Sequence, residues 1–506
     1  MSELITKSLS QSLYSAEQVR QGEQPAATKT GLSMQALMAA AGRAVFQQLQ
    51  ELADSGARVA FFCGEGNNGG DGYVAARLAA EQGYRVSVFA LNANKKLTND
   101  PSNNAAMARQ AWRDTNAREQ PFDEFVAASF DIIVDAVFGI GLSRALEGRL
   151  AEWVQQVNDS GLPVIAVDTP SGLDADTGQV LGTAIVATAT VTMVAKKRGL
   201  YTGQAAAHCG DIRLATLGVE EAFYQANPCQ WLLLNSGDCY DWLGPRSKAA
   251  HKGDFGHVLI VGGGPGMSGA ATLAMQAALR CGAGKVSVAC HPQAAVLIAA
   301  AQPEGMVHEV IGSDSLEPLL EQASVVVLGP GLGQSPWAWQ LFEHTLKRHR
   351  QPLVLDADGL NLLAQQAYTS ERLVLTPHPG EAARLLQQTV NQVEQDRFAA
   401  VESLRARYGG QVLLKGAGSL IASEHGNFVI GRGSPAQASG GMGDCLAGLV
   451  GGLLAQHLPP AQALVAATYW HAVAGEYCAQ QGERGTLASD LIPPLRRLVN
   501  GLSLAN

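Results

Sequence analysis

Short runs of apolar, β-branched residues recur along the chain, and each is followed by a glycine-rich turn and then a helical pattern. This alternation predicts parallel sheets with crossover helices. In the first half of the chain, the predicted strands are Val59–Cys63, Val86–Leu91, Ile132–Val134, Val164–Val167 and Thr190–Val194. In the second half, they are Val258–Val261, Lys285–Ala289, Val325–Leu328, Leu353–Leu355, Leu373–Leu375 and Val412–Leu414.

Helical periodicity fills the intervals between these strands. The predicted helices are Ala16–Arg20, Leu32–Leu52, Gly72–Gln82, Gly269–Cys281, Glu381–Gln388 and Leu446–Leu454. The segment Gly218–Lys252 interrupts the alternation with mixed polar and aromatic residues, so we place a domain boundary there, near residue 225. The pattern therefore predicts an α/β protein with two three-layer αβα domains, residues 1–225 and residues 226–506.

The composition narrows the class of protein. The 506 residues are 47% hydrophobic and 16% charged, which excludes a disordered chain. The net charge of -9 argues against a basic nucleic-acid binder. The eight cysteines include no CxxC pair, which indicates reduced thiols in a cytoplasmic protein. The N-terminus lacks the apolar core of a secretory signal, and no apolar run reaches the ~20 residues of a membrane helix. We therefore expect no membrane partner.

In each half of the chain, a glycine-rich run follows the first predicted strand. Gly64–Gly72 reads GEGNNGGDG, and Gly262–Ala271 reads GGGPGMSGAA. Each contains GxGxxG, but neither half has the acidic residue that a dinucleotide fingerprint places at the end of the next strand. We therefore reject an ordinary nicotinamide-dependent oxidoreductase. The glycine-rich runs could still present N–H groups to an anion at a helix start, or they could be tight turns.

Polar side chains also follow three strands of the first half. Asn68, Asp135, Asp168 and Ser171 are expected at one edge of the sheet, because ligands of open α/β sheets bind beyond the carboxyl ends of the strands. Hard oxygen ligands of low total charge suit an alkali cation. Turn capping is the alternative explanation for Asp135 and Ser171.

The motifs GNNGGDG, VDAVFGIGL and VDTPSGLDADTG resemble the NAD(P)H-hydrate epimerase domain over roughly residues 10–220. That family interconverts the R and S epimers of NADH and NADPH that have added water to the nicotinamide ring. The resemblance implies a Rossmann-like fold and K⁺ held by Asn68, Asp135 and Ser171. It also makes Asp168 the best acid/base candidate. The residues that it implies contact the hydrate are Asn67, Asn68, Gly69, Gly70, Asp71, Gly139, Ile140, Gly141, Leu142, Ser143, Arg144, Ala145 and Asp168.

The second half ends in Ser439–Asp444, SGGMGD, before an apolar helix. An Asp beside glycine N–H groups suits phosphoryl transfer, since the carboxylate accepts a hydroxyl proton while the N–H groups neutralise the phosphoryl group. A simple helix N-cap is the alternative for Asp444. Its place at a helix start predicts a low pKa and an ionised carboxylate at neutral pH. A Walker-type P-loop is absent from the sequence.

GGGPGMSGAA, GPGLG (Gly329–Gly333), TPHPGE (Thr376–Glu381), KGAGS (Lys415–Ser419) and the GxGD run resemble the ribokinase-like NAD(P)H-hydrate dehydratase family over about residues 230–500. The resemblance implies ADP as co-substrate and Mg²⁺, with Asp444 as the catalytic base. Implied nucleotide contacts are Lys415, Gly416, Ala417, Gly418, Ser419 and Gly443. Implied hydrate contacts are Ala270 or Ala271, Gly331 or Gly333, His378 and Asp444. Glu381 either meets Mg²⁺ through water or is a helix-capping carboxylate.

Together the resemblances imply repair of hydrated NADH and NADPH: epimerisation, and dehydration of the S form coupled to conversion of ADP to AMP and phosphate. Two alternatives stay open. One is a vitamin or sugar kinase with an accessory domain, and the other treats the first domain as an interaction scaffold. We expect NADHX, NADPHX and ADP as partners, a homo-oligomer, and no nucleic acid. The basic run Lys196–Arg198 is interpreted as a solvated turn or a contact to one phosphate.

Overall fold

The protein is described by a computed structural model that covers residues 11–93, 103–115, 117–234 and 239–504. The chain divides into two compact units, Lys7–Leu232 and Leu233–Asn506. The predicted boundary near residue 225 lies inside a helix, Glu220–Ala226, and residues 1–10 lie outside the described part. The mixed α/β class and the parallel sheets are as the sequence predicts.

The first unit is built around a parallel sheet. Its strands are β1 (Ser12–Tyr14), β2 (Arg58–Cys63), β3 (Arg85–Ala90), β4 (Glu119–Gln120), β5 (Ile132–Ala136), β6 (Val164–Val167), β7 (Ala189–Met193), β8 (Lys196–Lys197) and β9 (Asp211–Ala215); β10 (Trp231–Leu233) ends at the division. Its helices are α1 (Ala16–Lys29), α2 (Met34–Leu52), α3 (Asn67–Glu81), α4 (Asn104–Arg113), α5 (Arg149–Asp159) and α6 (Glu220–Ala226). The seven-stranded sheet has the order β4-β3-β2-β5-β6-β7-β9.

Alternate residues of β2 point into two different cores. Phe61 packs with residues of the α1–α4 side, whereas Phe62 packs with Trp153 and Val157 of α5. Because successive side chains of a strand face opposite ways, a sheet covered on both faces needs apolar residues at every position. This explains the unbroken apolar runs by which the strands were predicted.

The second unit has strands β11 (His257–Val261), β12 (Lys285–Cys290), β13 (Met306–Glu309), β14 (Val325–Leu328), β15 (Leu353–Leu355), β16 (Leu373–Leu375), β17 (Gln411–Leu414), β18 (Ser419–Ser423) and β19 (Gly426–Ile430). Its helices are α7 (Ser268–Arg280), α8 (Pro292–Ala301), α9 (Ser313–Gln322), α10 (Pro336–Arg348), α11 (Asp358–Leu363), α12 (Pro379–Leu386), α13 (Val390–Gln395), α14 (Arg397–Tyr408), α15 (Met442–Ala455), α16 (Pro460–Ala479) and α17 (Ile492–Leu498). Strands β13-β12-β11-β14-β15-β16-β17 are parallel, and the β18–β19 hairpin continues the sheet antiparallel.

Strand order reverses between β2 and β5 in the first unit and between β11 and β14 in the second. Open α/β sheets bind ligands at such a reversal, beyond the carboxyl ends of the strands. Ligands are therefore expected to bind at the segments that follow these four strands.

Among the described residues, no helix combines the length and apolar character needed to cross a membrane.

Helices α7 and α15 approach each other closely in the second unit. A Cβ added at Gly448 would overlap the carbonyl group of Ala274, and one added at Gly452 would overlap the Cys281 sulfur. Glycine at these positions lets the two helix backbones meet. This packing fixes the place of the α15 N-terminus, where Asp444 lies.

We expect Gly448→Ala to lower the free energy of unfolding by about 1–3 kcal/mol, because the added methyl group forces α15 away from Ala274. Gly269→Ala in α7 is the matched control, since a Cβ there meets open space and alanine favours helix. Thermal or urea unfolding of the full chain would measure both. Equal stability of the two variants would contradict the close packing.

Candidate functional site

The glycine-rich run after β2 forms the beginning of a helix. Helix α3 starts at Asn67, after the N-cap Gly66, and not at Gly72 as predicted. A Cβ at Gly69 would overlap the carbonyl oxygen of Gly64, and one at Gly72 would lie 2.5 Å from the Ala136 Cβ. The glycines are thus needed for α3 to begin against β2 and β5, and Asn67–Asp71 lie in its first turns.

Asn68 carries a buried amide without a partner. Among the described residues, neither its oxygen nor its nitrogen has a hydrogen bond. A Cβ on Gly139, in the loop after β5, would lie 3.1 Å from Asn68 Oδ1 and 3.3 Å from Asp168 Oδ2. Buried polar groups normally have partners, so an orphaned amide at this edge indicates a place where a ligand binds. Asn68 and Asp168 therefore face the same space beside Gly139.

Asp135 is fully buried at the end of β5. It accepts hydrogen bonds from the Ser171 N–H (2.8 Å), the Ser171 hydroxyl (2.6 Å) and the Val137 N–H (3.2 Å). Burial raises the pKa of Asp135 to about 6, although the bonds from Ser171 oppose the shift. The Ser171 hydroxyl also accepts the Phe138 N–H at 2.9 Å. Asp135 and Ser171 thus hold the turns after β5 and β6 together, so the turn-capping role is present.

Asp168 follows β6 in the left-handed backbone region, with φ of 66°. Its carboxylate accepts the Met193 N–H at 3.0 Å and forms an ion pair with Lys197, whose side chain is 1% exposed. Lys197 also donates to the Met193 carbonyl at 2.7 Å. The expectation of a solvated turn at Lys196–Arg198 is therefore wrong for Lys197, because this side chain is buried. A carboxylate and a carbonyl oxygen compensate its charge.

Two further carboxyl groups lie close enough to Asp168 for its negative charge to raise their pKa values. Asp71 is buried in the first turns of α3, and its pKa is raised well above the usual value, first by burial and then by the charges of Asp168 and Glu23. Burial and Asp168 also raise the pKa of Glu23, on α1. Three carboxylates thus share one ammonium group. Sequence reasoning missed Glu23 and Lys197, since no spacing connects them to Asp168.

The segment Gly139–Ala145 follows β5 as an irregular loop. Gly141, Ser143, Arg144 and Ala145 are exposed, while the remaining residues of the loop are half-buried. The predicted hydrate contacts of this loop therefore lie at an accessible surface next to Asn68 and Asp168. Their assignment to the substrate stays a prediction.

In the second unit, the segments after β11 and β14 meet. A Cβ on Gly331 would lie 2.5 Å from the Met267 carbonyl oxygen and 3.1 Å from the Ala270 Cβ. Gly264 donates its N–H to the Gly331 carbonyl at 2.6 Å. The Ala271 side chain is fully buried, whereas Ala270 is partly open. Of the two alanines, Ala270 is the one that a ligand can reach, and Gly333 is likewise more open than Gly331.

Lys415 is the centre of a cluster of carboxylates. Its Nζ donates to Asp356 Oδ1 at 2.8 Å and lies 3.9 Å from Glu381 Oε2. Burial lowers the pKa of Lys415, but Asp356 and Glu381 more than offset this, so the pKa is raised. A Cβ on Gly443 would lie 3.2 Å from Lys415 Nζ. The lysine side chain therefore reaches the first turn of α15.

Asp356 is a site residue that sequence reasoning missed. It follows β15, is 1% exposed, and also accepts the Thr376 hydroxyl at 2.8 Å. The signal was available, because Asp356 directly follows a predicted strand. Asp358, which begins α11, accepts the Gly333 N–H at 2.8 Å.

Asp444 is the third residue of α15, which begins four residues earlier than predicted, after the N-cap Gly441 with φ of 88°. The expectation of a low pKa is wrong. Burial and the charge of Asp356 raise the pKa of Asp444 to about 7, and Lys415 only partly opposes them. A carboxyl group that titrates near neutral pH suits proton transfer.

Glu381 has a structural partner at the start of α12. Its Oε2 accepts the His378 N–H at 2.8 Å, and the His378 ring in turn accepts the Gly380 N–H at 3.0 Å. Burial raises the pKa of Glu381 to about 7, although Lys415 opposes the shift. The helix-capping role is therefore present, and the His378 side chain is half-exposed at 51%.

The KGAGS segment connects β17 to β18. The Ser419 hydroxyl donates to the Gly416 carbonyl at 3.0 Å, which closes the turn, and Gly416 and Gly418 have φ of 148° and 61°. Gly416 and Ala417 are exposed. An exposed glycine turn beside Lys415 lets an anion approach the backbone and the ammonium group closely. The predicted nucleotide contacts are thus adjacent to the carboxylate cluster.

Comparison with known proteins identifies both units. The sequence profile described as "NAD(P)H-hydrate dehydratase" matches residues 258–497, and the profile described as "YjeF-related protein N-terminus" matches residues 34–199. A ribokinase-like superfamily protein from Enterococcus faecalis is 28% identical, with a TM-score of 0.50, over 54% of this chain and 96% of its own.

Two relatives align along nearly the whole chain. The bifunctional NAD(P)H-hydrate repair enzyme Nnr of Coxiella burnetii is 44% identical over 96% of this chain and 99% of its own. The protein of the same name in Escherichia coli is 40% identical over 97% of this chain and 95% of its own. The chain belongs to the family of bifunctional NAD(P)H-hydrate repair enzymes, with an epimerase-type first unit and a ribokinase-like dehydratase second unit.

Proposed function

We propose that this chain repairs hydrated NADH and NADPH, with epimerisation in the first unit, Lys7–Leu232, and ADP-dependent dehydration of the S form in the second, Leu233–Asn506. The observation that carries the proposal is Asp444. Its carboxyl group lies at the start of α15, next to Gly443 and the Lys415 ammonium, and burial and the charge of Asp356 raise its pKa to about 7. A base beside an anion-binding helix terminus is the arrangement that phosphoryl transfer to a hydroxyl requires.

The dehydration then follows from moving one phosphoryl group. Asp444 takes the proton of the hydroxyl at C6 of the hydrate, and the oxygen attacks the β-phosphorus of ADP, so that AMP leaves. The ring nitrogen then donates its lone pair to C6, and the C6–O bond breaks with departure of phosphate. Loss of a proton from C5 restores the C5=C6 double bond. Lys415 and the N–H groups of the α15 first turn stabilise the charge on the transferred group.

The residues present fit Mg²⁺ that arrives with the nucleotide. No three His, Cys, Asp or Glu side chains converge on one point in the part of the chain that the structure describes. Mg²⁺ usually combines one or two carboxylates with substrate phosphates and water. Glu381, with one oxygen held by His378, would take part through water, and Mg²⁺ would neutralise phosphate charge.

Epimerisation is assigned to the space beside Gly139. Breaking and remaking the C6–O bond of the hydrate requires a proton to move, and Asp168 would accept and return it. The Lys197 ammonium holds the Asp168 carboxylate in place. The Asn68 amide oxygen, which has no partner among the described residues, supports a place for K⁺ here, and Asp135 and Ser171 would supply the other oxygens. K⁺ would fix the turns around the hydrate. Cytoplasmic location and a homo-oligomeric state stay predictions.

We expect Asp444→Asn to slow dehydration of S-NADHX by at least ~10²-fold, because the amide keeps the shape of the side chain but cannot accept the proton. The affinity for ADP should change little. Absorbance of the NADH formed measures the rate, and the rate of epimerisation in the same protein is the internal control. Near-normal dehydration by Asp444→Asn would remove this residue from the mechanism.

The rate of dehydration should depend on pH with a midpoint near 7. A base works in its ionised form, so kcat/KM should rise as the pH increases through the pKa of Asp444. Asp356→Asn should move the midpoint to lower pH, since the Asp356 charge raises that pKa. A flat profile from about pH 6 to about pH 8, roughly one unit on either side of that midpoint, would contradict the assignment.

Epimerisation should require K⁺ through Asn68. We expect Asn68→Ala to lower the rate in K⁺ to the level of the wild-type protein in tetramethylammonium, because the variant lacks one oxygen ligand. Dehydration of pure S epimer should be unaffected. Crystals soaked in Rb⁺ give a direct measurement, and an absence of anomalous signal near Asn68, Asp135 and Ser171 would reject the cation site.

A further inference from the structure

A polar cavity lies beside the dehydratase site. It has a volume of about 390 Å³ and is lined by Gln334, Asn361, Ala364, Gln365 and Arg384. Three of these residues have side-chain amides, which both donate and accept hydrogen bonds, and one is a cation. The lining contains no acidic residue. Its chemistry therefore suits an anionic ligand that also carries hydroxyl groups.

The residues that line the cavity lie next along the chain to segments predicted to contact the hydrate. Gln334 directly follows Gly333, whose N–H binds Asp358, and Asp358 also accepts the Asn361 amide at 3.3 Å. Arg384 lies on α12, six residues after His378, which is about 9 Å along a helix axis. Burial and the charge of Lys415 are the main causes that lower the pKa of His378, and the charge of Arg384 lowers it further.

In the part of the chain that the structure describes, the guanidinium of Arg384 is held in place by an amide and not by an ion pair. Its Nη1 donates to Asn361 Oδ1 at 2.9 Å, and the residue is exposed at the cavity. Among the described residues, no carboxylate forms an ion pair with its guanidinium. A guanidinium presents five donors in a planar fork that matches phosphate oxygens. An oriented arginine without a carboxylate is thus prepared for a phosphate.

We propose that this cavity binds a phosphate group of the hydrated dinucleotide substrate, with Arg384 as its anchor. The inference rests on the proposed dehydratase function. If the reacting ring lies between His378 and Asp444, the rest of the dinucleotide has to leave that site, and the cavity beyond Gly333 offers a polar surface that can receive it. The pyrophosphate occurs in both NADHX and NADPHX, whereas the 2′-phosphate occurs only in NADPHX.

Steady-state kinetics of the full chain with pure S-NADHX, S-NADPHX and ADP test the proposal. Arg384→Gln should raise the KM for a hydrate by ~10-fold or more, the cost of a lost charge-assisted contact, with kcat nearly unchanged. Arg384→Lys should restore part of the affinity. Arg372→Gln is the matched control, because it removes the same charge at the opposite end of β16.

The pattern of KM values identifies the phosphate. An increase for both hydrates supports contact with the pyrophosphate, and an increase for S-NADPHX alone supports contact with the 2′-phosphate. Unchanged KM values for both hydrates, or a change in the KM for ADP alone, would overturn the proposal. If the wild-type protein and Arg372→Gln both fail to dehydrate either hydrate, the proposed function itself has failed, and that result is distinguishable from a defect confined to Arg384→Gln.

Discussion

A lysine that is paired with one carboxylate and faces others is the interaction on which both sites depend; Lys197 is fully buried and Lys415 is partly buried. Lys197 pairs with Asp168 in the first unit, and Lys415 pairs with Asp356 in the second. Taking such charges out of water is costly, so removing either partner leaves an uncompensated charge. In each site, one ammonium neutralises part of a larger negative charge, and the remaining carboxylates keep an altered pKa.

The excess of carboxylates gives each site its chemistry. Lys415 lies closest to Asp356 and only partly offsets the other carboxylates. Burial and the negative charge of Asp356 therefore raise the pKa of Asp444 to about 7. In the first unit, burial and the charge of Asp168 likewise raise the pKa of Asp71. Pairs of carboxyl groups whose environments separate their pKa values can divide the roles of acid and base. The helix start alone would have kept Asp444 acidic.

Glycine determines where these charges lie. The first turn of α3 fits against β2 because Gly69 has no Cβ, and α15 fits against α7 because Gly448 has none. Helix α3 follows β2, at the reversal of strand order in the first sheet, and α15 begins beside Asp356 and Lys415, which follow β15 and β17. Close backbone packing therefore places Asn68 and Asp444 at the two edges where ligands of α/β sheets bind. This is a packing role that the glycine motifs have in addition to any contact with substrate.

The sequence by itself determined the alternating class of the fold, because strands buried on both faces must be apolar throughout. It also predicted most of the segments that we propose to face ligands, since these directly follow predicted strands, but not Asp356, which follows β15 in the same way. Only the tertiary structure decided which charges meet. Lys197 and Asp168 are 29 residues apart, and the partners of Glu23 and Lys415 come from distant helices and strands. Local patterns report burial and turns, whereas a pKa depends on charges that only the folded chain brings together.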